Sequence, residues 1–301
     1  MKIAFLTLID PLKRITLPGL GGVPLWDVLL FLYAKMINEA ITVRAAAIAY
    51  NFFIALFPCL IFLFTLIPYI HIKDLQTQIL QFMGDFLPAS AFATIESTLR
   101  DILLHRRGGL LSFGLITALY FASNGIKSML YAFHPTNKVR YWKRIIIANF
   151  LTLLLSILVI LALVIIIGGS FLLSYLNKIN FFESVWVMIL IAGFRYITII
   201  ALAITIISIL YYAGAKKGER FRMYSPGAFL STFFIALTSY GFGYYVEHFG
   251  RYNRFYGSLG TIIILLIWFY MNSLVLLAGF DFNQSVMKLK QRKVGESNKK
   301  V

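Results

Sequence analysis

Long apolar runs alternate with short basic segments along this chain, and that alternation sets its elements. Six stretches, near 45–70, 108–133, 145–176, 185–212, 223–246 and 256–280, are uncharged or nearly so. Each is long enough to cross a bilayer, for which about 20 apolar residues suffice. The first, third, fifth and sixth carry no Asp, Glu, Lys or Arg; the second contains Lys127 and the fourth Arg195. Ahead of them Trp26, Leu29, Leu30, Tyr33, Ile37 and Ile41 recur at helical spacing, with Asp27, Lys35, Asn38 and Glu39 off that face. The pattern predicts an amphipathic helix lying in the membrane interface, anchored by Trp26 and Tyr33. Between the first two spans, Leu75, Ile79, Phe82, Met83 and Phe86 form one apolar stripe and Ile95, Leu99, Ile102 and Leu103 another, divided by Pro88-Ala89-Ser90. This predicts a helical hairpin over 73–107 that either packs on the bundle or meets a substrate or partner. Pro58 and Pro68 remove backbone donors from the first span. The expectation is all-α: one integral membrane domain over 1–287, then a basic, disordered cytoplasmic tail over 288–301.

Composition agrees with that reading. Hydrophobic residues make up 60% and charged residues 13%, and the mean hydropathy is +0.82, far outside the soluble range. Six spans leave room for no soluble domain. The early apolar run Ile3–Ile9 stops at Asp10-Pro11, so no cleavable signal is expected. The net charge of +16 is unevenly distributed: 19 Lys and Arg flank the spans on one side and seven on the other. The positive-inside rule then puts both termini in the cytoplasm of a multi-pass inner-membrane protein. Orientation explains most of the basicity, and the basic loops lack the interleaved stacking aromatics of a nucleic-acid binder. No nucleic-acid partner is therefore expected.

Chemistry-bearing motifs are sparse. Cys59 is the single cysteine, and the four histidines at 71, 105, 134 and 248 are scattered, so neither a disulfide nor a protein-built metal site is expected. No nucleophile elbow, metalloprotease helix or Walker loop occurs. The chain reads as a non-enzyme without cofactors, and any transport would be passive, gradient-driven or powered by a partner. The spans do not divide into two matching halves, so inverted-repeat logic finds no support.

The polar groups inside the spans are the informative ones. Tyr120, Asn124, Lys127 and Tyr131 lie on one face of the second span, and Asn149, Thr152 and Ser156 on one face of the third. Arg195 shares a face with Thr198, Thr205, Ser208 and Tyr212. These stripes turn inward, either to hydrogen-bond between helices or to line a hydrated cavity. Lys127, in the inner third, either snorkels to the headgroups or joins that cavity. A charge within a span costs roughly 2.5–3.5 kcal/mol on insertion scales. Arg195, read near mid-depth, therefore either lines a cavity or bonds backbone carbonyls. Its guanidinium fork suits a phosphate headgroup. Arg44, Glu39, Asp281 and Lys127 share an inner depth and form a candidate ion-pair cluster. Tyr240, Tyr244, Glu247 and Arg251, with His248 adjacent, form an outer group that is either a gate or an interfacial belt.

Two stretches carry a family resemblance. Arg44-Ala-Ala-Ala-Ile-Ala-Tyr50, continuing through Asn51 to Pro58, resembles the opening motif of the YihY/BrkB family of bacterial inner-membrane proteins. Tyr256-Gly-Ser-Leu-Gly-Thr261, with Trp268, Tyr270 and Gly279-Phe-Asp-Phe-Asn283, resembles its closing motif. The closing motif usually reads Gly-Ala-Glu, whereas here it is Gly279-Phe280-Asp281, with a shorter carboxylate arm and a bulkier neighbour. The resemblance implies envelope-related membrane function, with lipid or lipid-linked precursor transport as the leading proposal. An older family label, a tRNA-processing ribonuclease, finds no metal cluster or RNA-holding domain here. The expected function is a permease or flippase-like protein for an anionic amphiphile, with membrane phospholipid as partner. Arg195, Lys127, Asn124, Tyr120 and Thr198 would line its cavity, and Arg44, Asn51 and Asp281 its inner gate. The alternatives are an envelope-assembly scaffold that docks a periplasmic protein through the hairpin, and a small-solute or ion channel.

Overall fold

The computed structural model describes residues 30, 40–69, 80, 96–97, 99–103, 105–133, 141–178, 184–215, 224–249 and 258–298. Among them are six long helices: α1 Ile41–Leu66, α2 Gly108–Phe133, α3 Tyr141–Lys178, α4 Ser184–Gly214, α5 Pro226–Phe249 and α6 Ser258–Asn298. Pro58 sits within α1, and Pro68 lies in a 3-10 turn, Ile67–Tyr69, that closes it. Five of the helices contain a stretch long and apolar enough to cross a membrane: Ile41–Tyr69, Gly108–Phe133, Ile145–Ile166, Gly193–Gly214 and Ile262–Leu289. The fifth predicted span, α5, has the length but dilutes its Phe and Leu with Gly227, Ser231, Thr232, Thr238, Ser239, Gly241 and Gly243. Its place between α4 and α6 identifies it as part of the same bundle.

The helices form a ring. Each packs on the next in chain order, and α6 returns to α1. At one end the ring is filled. Ile41, Ala45 and Ile48 of α1 meet Ile126, Met129, Leu130 and Phe133 of α2, Ala148 and Leu151 of α3, Ile207, Leu210 and Tyr211 of α4, Ala228 of α5, and Leu277 and Phe280 of α6. Phe133 stacks on Phe280 with centroids 3.9 Å apart and planes 14° apart, and Tyr211 meets both rings edge-on. This aromatic triad lets α2 touch α4 and α6 across the ring. The basic loops after α2 and α4 leave from this end, called here the basic end.

Toward the far end α1 still meets α2 at Phe62 and Gly114, and α3 meets α4 at Gly169 and Phe194, but much of the outer surface is apolar. Ile157, Ile160, Leu161 and Val164 of α3, Tyr196, Ile197 and Ile200 of α4, and Leu237, Tyr240 and Tyr244 of α5 are all exposed. In water such a surface would mark an aggregating protein; in hydrocarbon it costs nothing, because lipid tails are as apolar as leucine.

Three expectations meet the structure unevenly. The amphipathic helix over 26–41 falls almost wholly outside the described residues. So does the first arm of the 73–107 hairpin. Of its second arm, Leu99 and Leu103 are buried against Ile67, with Phe64 and Leu80 alongside. The described part of the hairpin thus packs on the far end of α1. The tail from Lys288, expected to be disordered, instead continues α6 as helix to Asn298. Met287, Lys288, Leu289, Lys290, Gln291, Arg292 and Lys293 are good helix formers. Prolonging an existing helix also avoids the cost of nucleation.

Candidate functional site

Most of the buried polar residues among those described gather at the basic end, on α1, α4, α5 and α6. Arg44 stands one turn into α1, 9% exposed, and Asp281 in α6 is fully buried. Arg44 Nη2 approaches Asp281 Oδ2 at 3.4 Å. Arg44 Nη1 also donates to the carbonyl of Ala132 at 2.6 Å. That carbonyl is one of the last four of α2, which have no intrahelical donor, and a cation there also meets the negative end of the helix dipole. One guanidinium therefore ties three helices.

A second set of bonds fixes α5. Ser225 precedes the helix and Pro226 opens it, the residue types preferred at these two positions. The amide of Gly227, another group without an intrahelical partner, donates to Asn283 Oδ1 at 2.8 Å, and Asn283 Nδ2 donates to Ser225 Oγ at 2.7 Å. Asn283 of α6 thus caps α5. Farther in, the hydroxyls of Tyr211 and Ser231 share a hydrogen bond of 2.7 Å, and Tyr211 also donates to the carbonyl of Leu276 at 2.7 Å. These bonds need close backbones, which Gly227 and Gly279 permit. A methyl group at Gly279 would overlap Ser231 Oγ and stand 2.7 Å from the Tyr211 hydroxyl.

The remaining sequence-predicted residues are dispersed. Asn51 turns its amide back to the carbonyl of Ala47 at 2.8 Å. Lys127 is half-buried, with Nζ 6.0 Å from the centre of the Tyr120 ring, and makes no ion pair among the described residues. Tyr120 is exposed and Asn124 half-buried. Next to them, Ser123 donates to Asn149 Oδ1, joining α2 to α3. Thr198 bonds back to the carbonyl of Phe194 at 2.8 Å. Glu247 and His248 belong to the last turn of α5, while Arg251 and the outer cluster it would complete lie outside the described residues; so does Glu39.

Arg195 is exposed on α4 and bonds to no other described residue. Its neighbour Phe194 faces Gly169 of α3. Counting along α4, Arg195 stands 19 residues from Gly214, roughly 28 Å at 1.5 Å per residue. Gly214 adjoins Phe133 at the basic end, so Arg195 lies in the half of α4 nearer the far end.

Within the described residues, no three of His, Cys, Asp and Glu gather as a metal site would require. A cavity of about 480 Å³ opens between α5 and α6, lined by Thr238, Gly241, Phe242, Tyr245, Ile263, Ile264, Ile267 and Met271. None of the predicted cavity residues borders it. The periodicity reading passed over Tyr211, Ser225, Gly227 and Ser231; only the Ser225-Pro226 helix start was a signal that could have drawn attention to them.

Comparison with known proteins agrees with this architecture of an all-α, polytopic membrane protein. A family model described as Virulence factor BrkB matches residues 32–301, and the chain belongs to that family. It is 32% identical over 256 residues to the "Putative ribonuclease-like protein YfkH" of Bacillus subtilis (strain 168), covering 82% of this chain and 90% of that one. It is 23% identical over 266 residues to a "UPF0761 membrane protein" of Vibrio vulnificus (strain YJ016), covering 83% and 79%. A 60-residue stretch is 45% identical to a "UPF0761 membrane protein" of Tolumonas auensis, 20% of each chain. No solved structure matches.

Proposed function

We propose that this chain handles an anionic amphiphile, a phospholipid or lipid-linked envelope precursor, in the bacterial inner membrane, with its basic end and both termini in the cytoplasm. The observation that carries the reading is Arg195: a cation within an apolar helix, exposed, without a protein partner among the described residues. A cation in a span needs a counter-charge or water, and a phosphate headgroup supplies the charge in the bidentate form a guanidinium binds well. Lys127, whose described company is an aromatic ring, assists from the basic side. In this reading the Arg44–Asp281 pair holds that end closed.

The test is translocation of a fluorescent anionic phospholipid by the purified protein in proteoliposomes, wild type beside Arg195→Ala. The expected result is movement by the wild type, slowed at least about tenfold in the variant, the effect of losing one charged hydrogen-bonding pair. A folded wild type that moves no lipid, or a variant at full rate, overturns the proposal.

A second reading, an envelope-assembly scaffold, draws support from the hairpin: Leu99 and Leu103 fix its second arm to α1 while Glu96 and Arg100 pair across the helix surface at 3.1 Å. Site-specific crosslinking from Arg100 to one defined envelope protein, with no lipid movement, would favour it.

A further inference from the structure

The cavity between α5 and α6 follows from how these two helices are pinned. They touch at Gly227 and Gly279, and Trp268 Nε1 donates to Ser239 Oγ at 3.3 Å farther along. On both sides of that bridge along the helices runs a cleft of about 480 Å³. Met271 is eight residues and Ile263 sixteen residues from Gly279, so the cleft lies roughly 12–24 Å along α6 from the contact. Its wall is almost wholly carbon: Phe242, Ile263, Ile264, Ile267 and Met271, with Thr238 and Tyr245 as its hydroxyl-bearing residues. Gly241 leaves its α5 side free, since a methyl group there would meet no atom within 4 Å.

We propose that this cleft is a binding site for a single lipid acyl chain. A void of this size forfeits dispersion contacts along its whole lining, and the cost grows with its volume. An apolar lining keeps water out. At this depth the remaining filler is hydrocarbon. A single acyl chain meets that carbon wall with methylene groups alone, so no polar group is buried unpaired. Residence of a lipid tail here does not depend on lipid being moved, and the two are measured separately.

Trp268 reports on the site, being next to Ile267 in sequence and bonded to Ser239 beside Thr238. The full-length protein with Trp26, Trp142 and Trp186 changed to Phe, delipidated in detergent, is titrated with phosphatidylglycerol brominated along its acyl chains. Quenching of Trp268 is expected to saturate near one lipid per protein, and Gly241→Leu, which fills the cleft, is expected to weaken it at least fivefold. Quenching that rises in proportion to the lipid-to-detergent ratio and is unchanged by Gly241→Leu overturns the proposal, leaving ordinary boundary lipid. Should the triple Trp variant fail to fold, native mass spectrometry of the purified protein decides. One retained lipid adduct in the wild type, lost in Gly241→Leu, supports the site, while equal adducts in both, or a dimer without lipid, overturns it.

Discussion

Arg44 and Asp281 are 237 positions apart and meet at 3.4 Å, both buried, at the basic end. Two opposing effects bear on such a pair. Burial strips water from both charges, so the pair contributes less than its Coulomb attraction suggests; removing one partner leaves the other charge buried, at about 3–5 kcal/mol. Asp281→Asn, which keeps the shape and removes the charge, is accordingly expected to lower the apparent unfolding free energy in detergent by about that much. Arg44→Met should cost a similar amount, because the Ala132 carbonyl also loses its donor. The double variant Arg44→Met/Asp281→Leu is expected to lose clearly less than the sum of the singles, since an apolar pair of similar volume is often tolerated. Denaturant titration of the four proteins measures this cycle. Single variants within about 0.5 kcal/mol of wild type, the range of ordinary surface changes, would show that the pair is solvated. That both residues stand at one depth was legible in the sequence, since each lies at the same end of an uncharged run. Their facing was not, because a lone charge in an apolar helix leaves no periodicity to orient it.

Between elements, the crossing of α5 and α6 is set by small residues where the helices touch and by open space where they part. At Gly279 an added methyl group collides with Ser231 and Tyr211, whose hydroxyls are already bonded to each other. Overpacking of this kind costs about 1–3 kcal/mol. At Gly241 and Gly243 the same methyl meets nothing within 4 Å, and there alanine gains about 0.5–1 kcal/mol from the smaller backbone entropy lost on forming helix. Gly279→Ala is therefore expected to lower the thermal midpoint, while Gly241→Ala and Gly243→Ala hold or raise it. Equal losses at all three positions in a thermal scan would mean that α5 and α6 approach along their full length. The helices themselves were largely legible, because a bilayer imposes a length and an apolar content that a single sequence displays. The continuation of α6 to Asn298 was not, because its basic residues signal water rather than coil. Nor was the capping of α5 by Asn283, a contact 56 positions apart that no local pattern encodes.

Across the whole molecule, parity ties the helix count to topology. Five helices pass the length and hydropathy needed to cross; if only those crossed, the two termini would stand on opposite sides. Packing argues for six. α5 is 24 residues long, about 36 Å of helix against a hydrocarbon layer of about 30 Å. It fills the place between α4 and α6 that closes the ring. Its lower hydropathy comes from glycines and hydroxyls, not charges, and Ser231 and Thr232 among them are buried. Six crossings would return the chain to the side it started from, and the excess of Lys and Arg there is what the proposed cytoplasmic placement rests on. The geometry of α6 points the same way. At 41 residues it is about 61 Å long, twice what the bilayer needs, and the surplus carries Lys288, Lys290, Arg292 and Lys293. In a Cys59→Ala background, Lys2→Cys and Ser297→Cys are expected to resist a membrane-impermeant maleimide in intact cells and to react after permeabilisation. Ser97→Cys, at an exposed hairpin position, should react in both. Labelling of Ser297→Cys but not Lys2→Cys in intact cells would remove α5 from the spans, and with it the ring, since a helix lying flat cannot join α4 to α6 through the depth of the membrane.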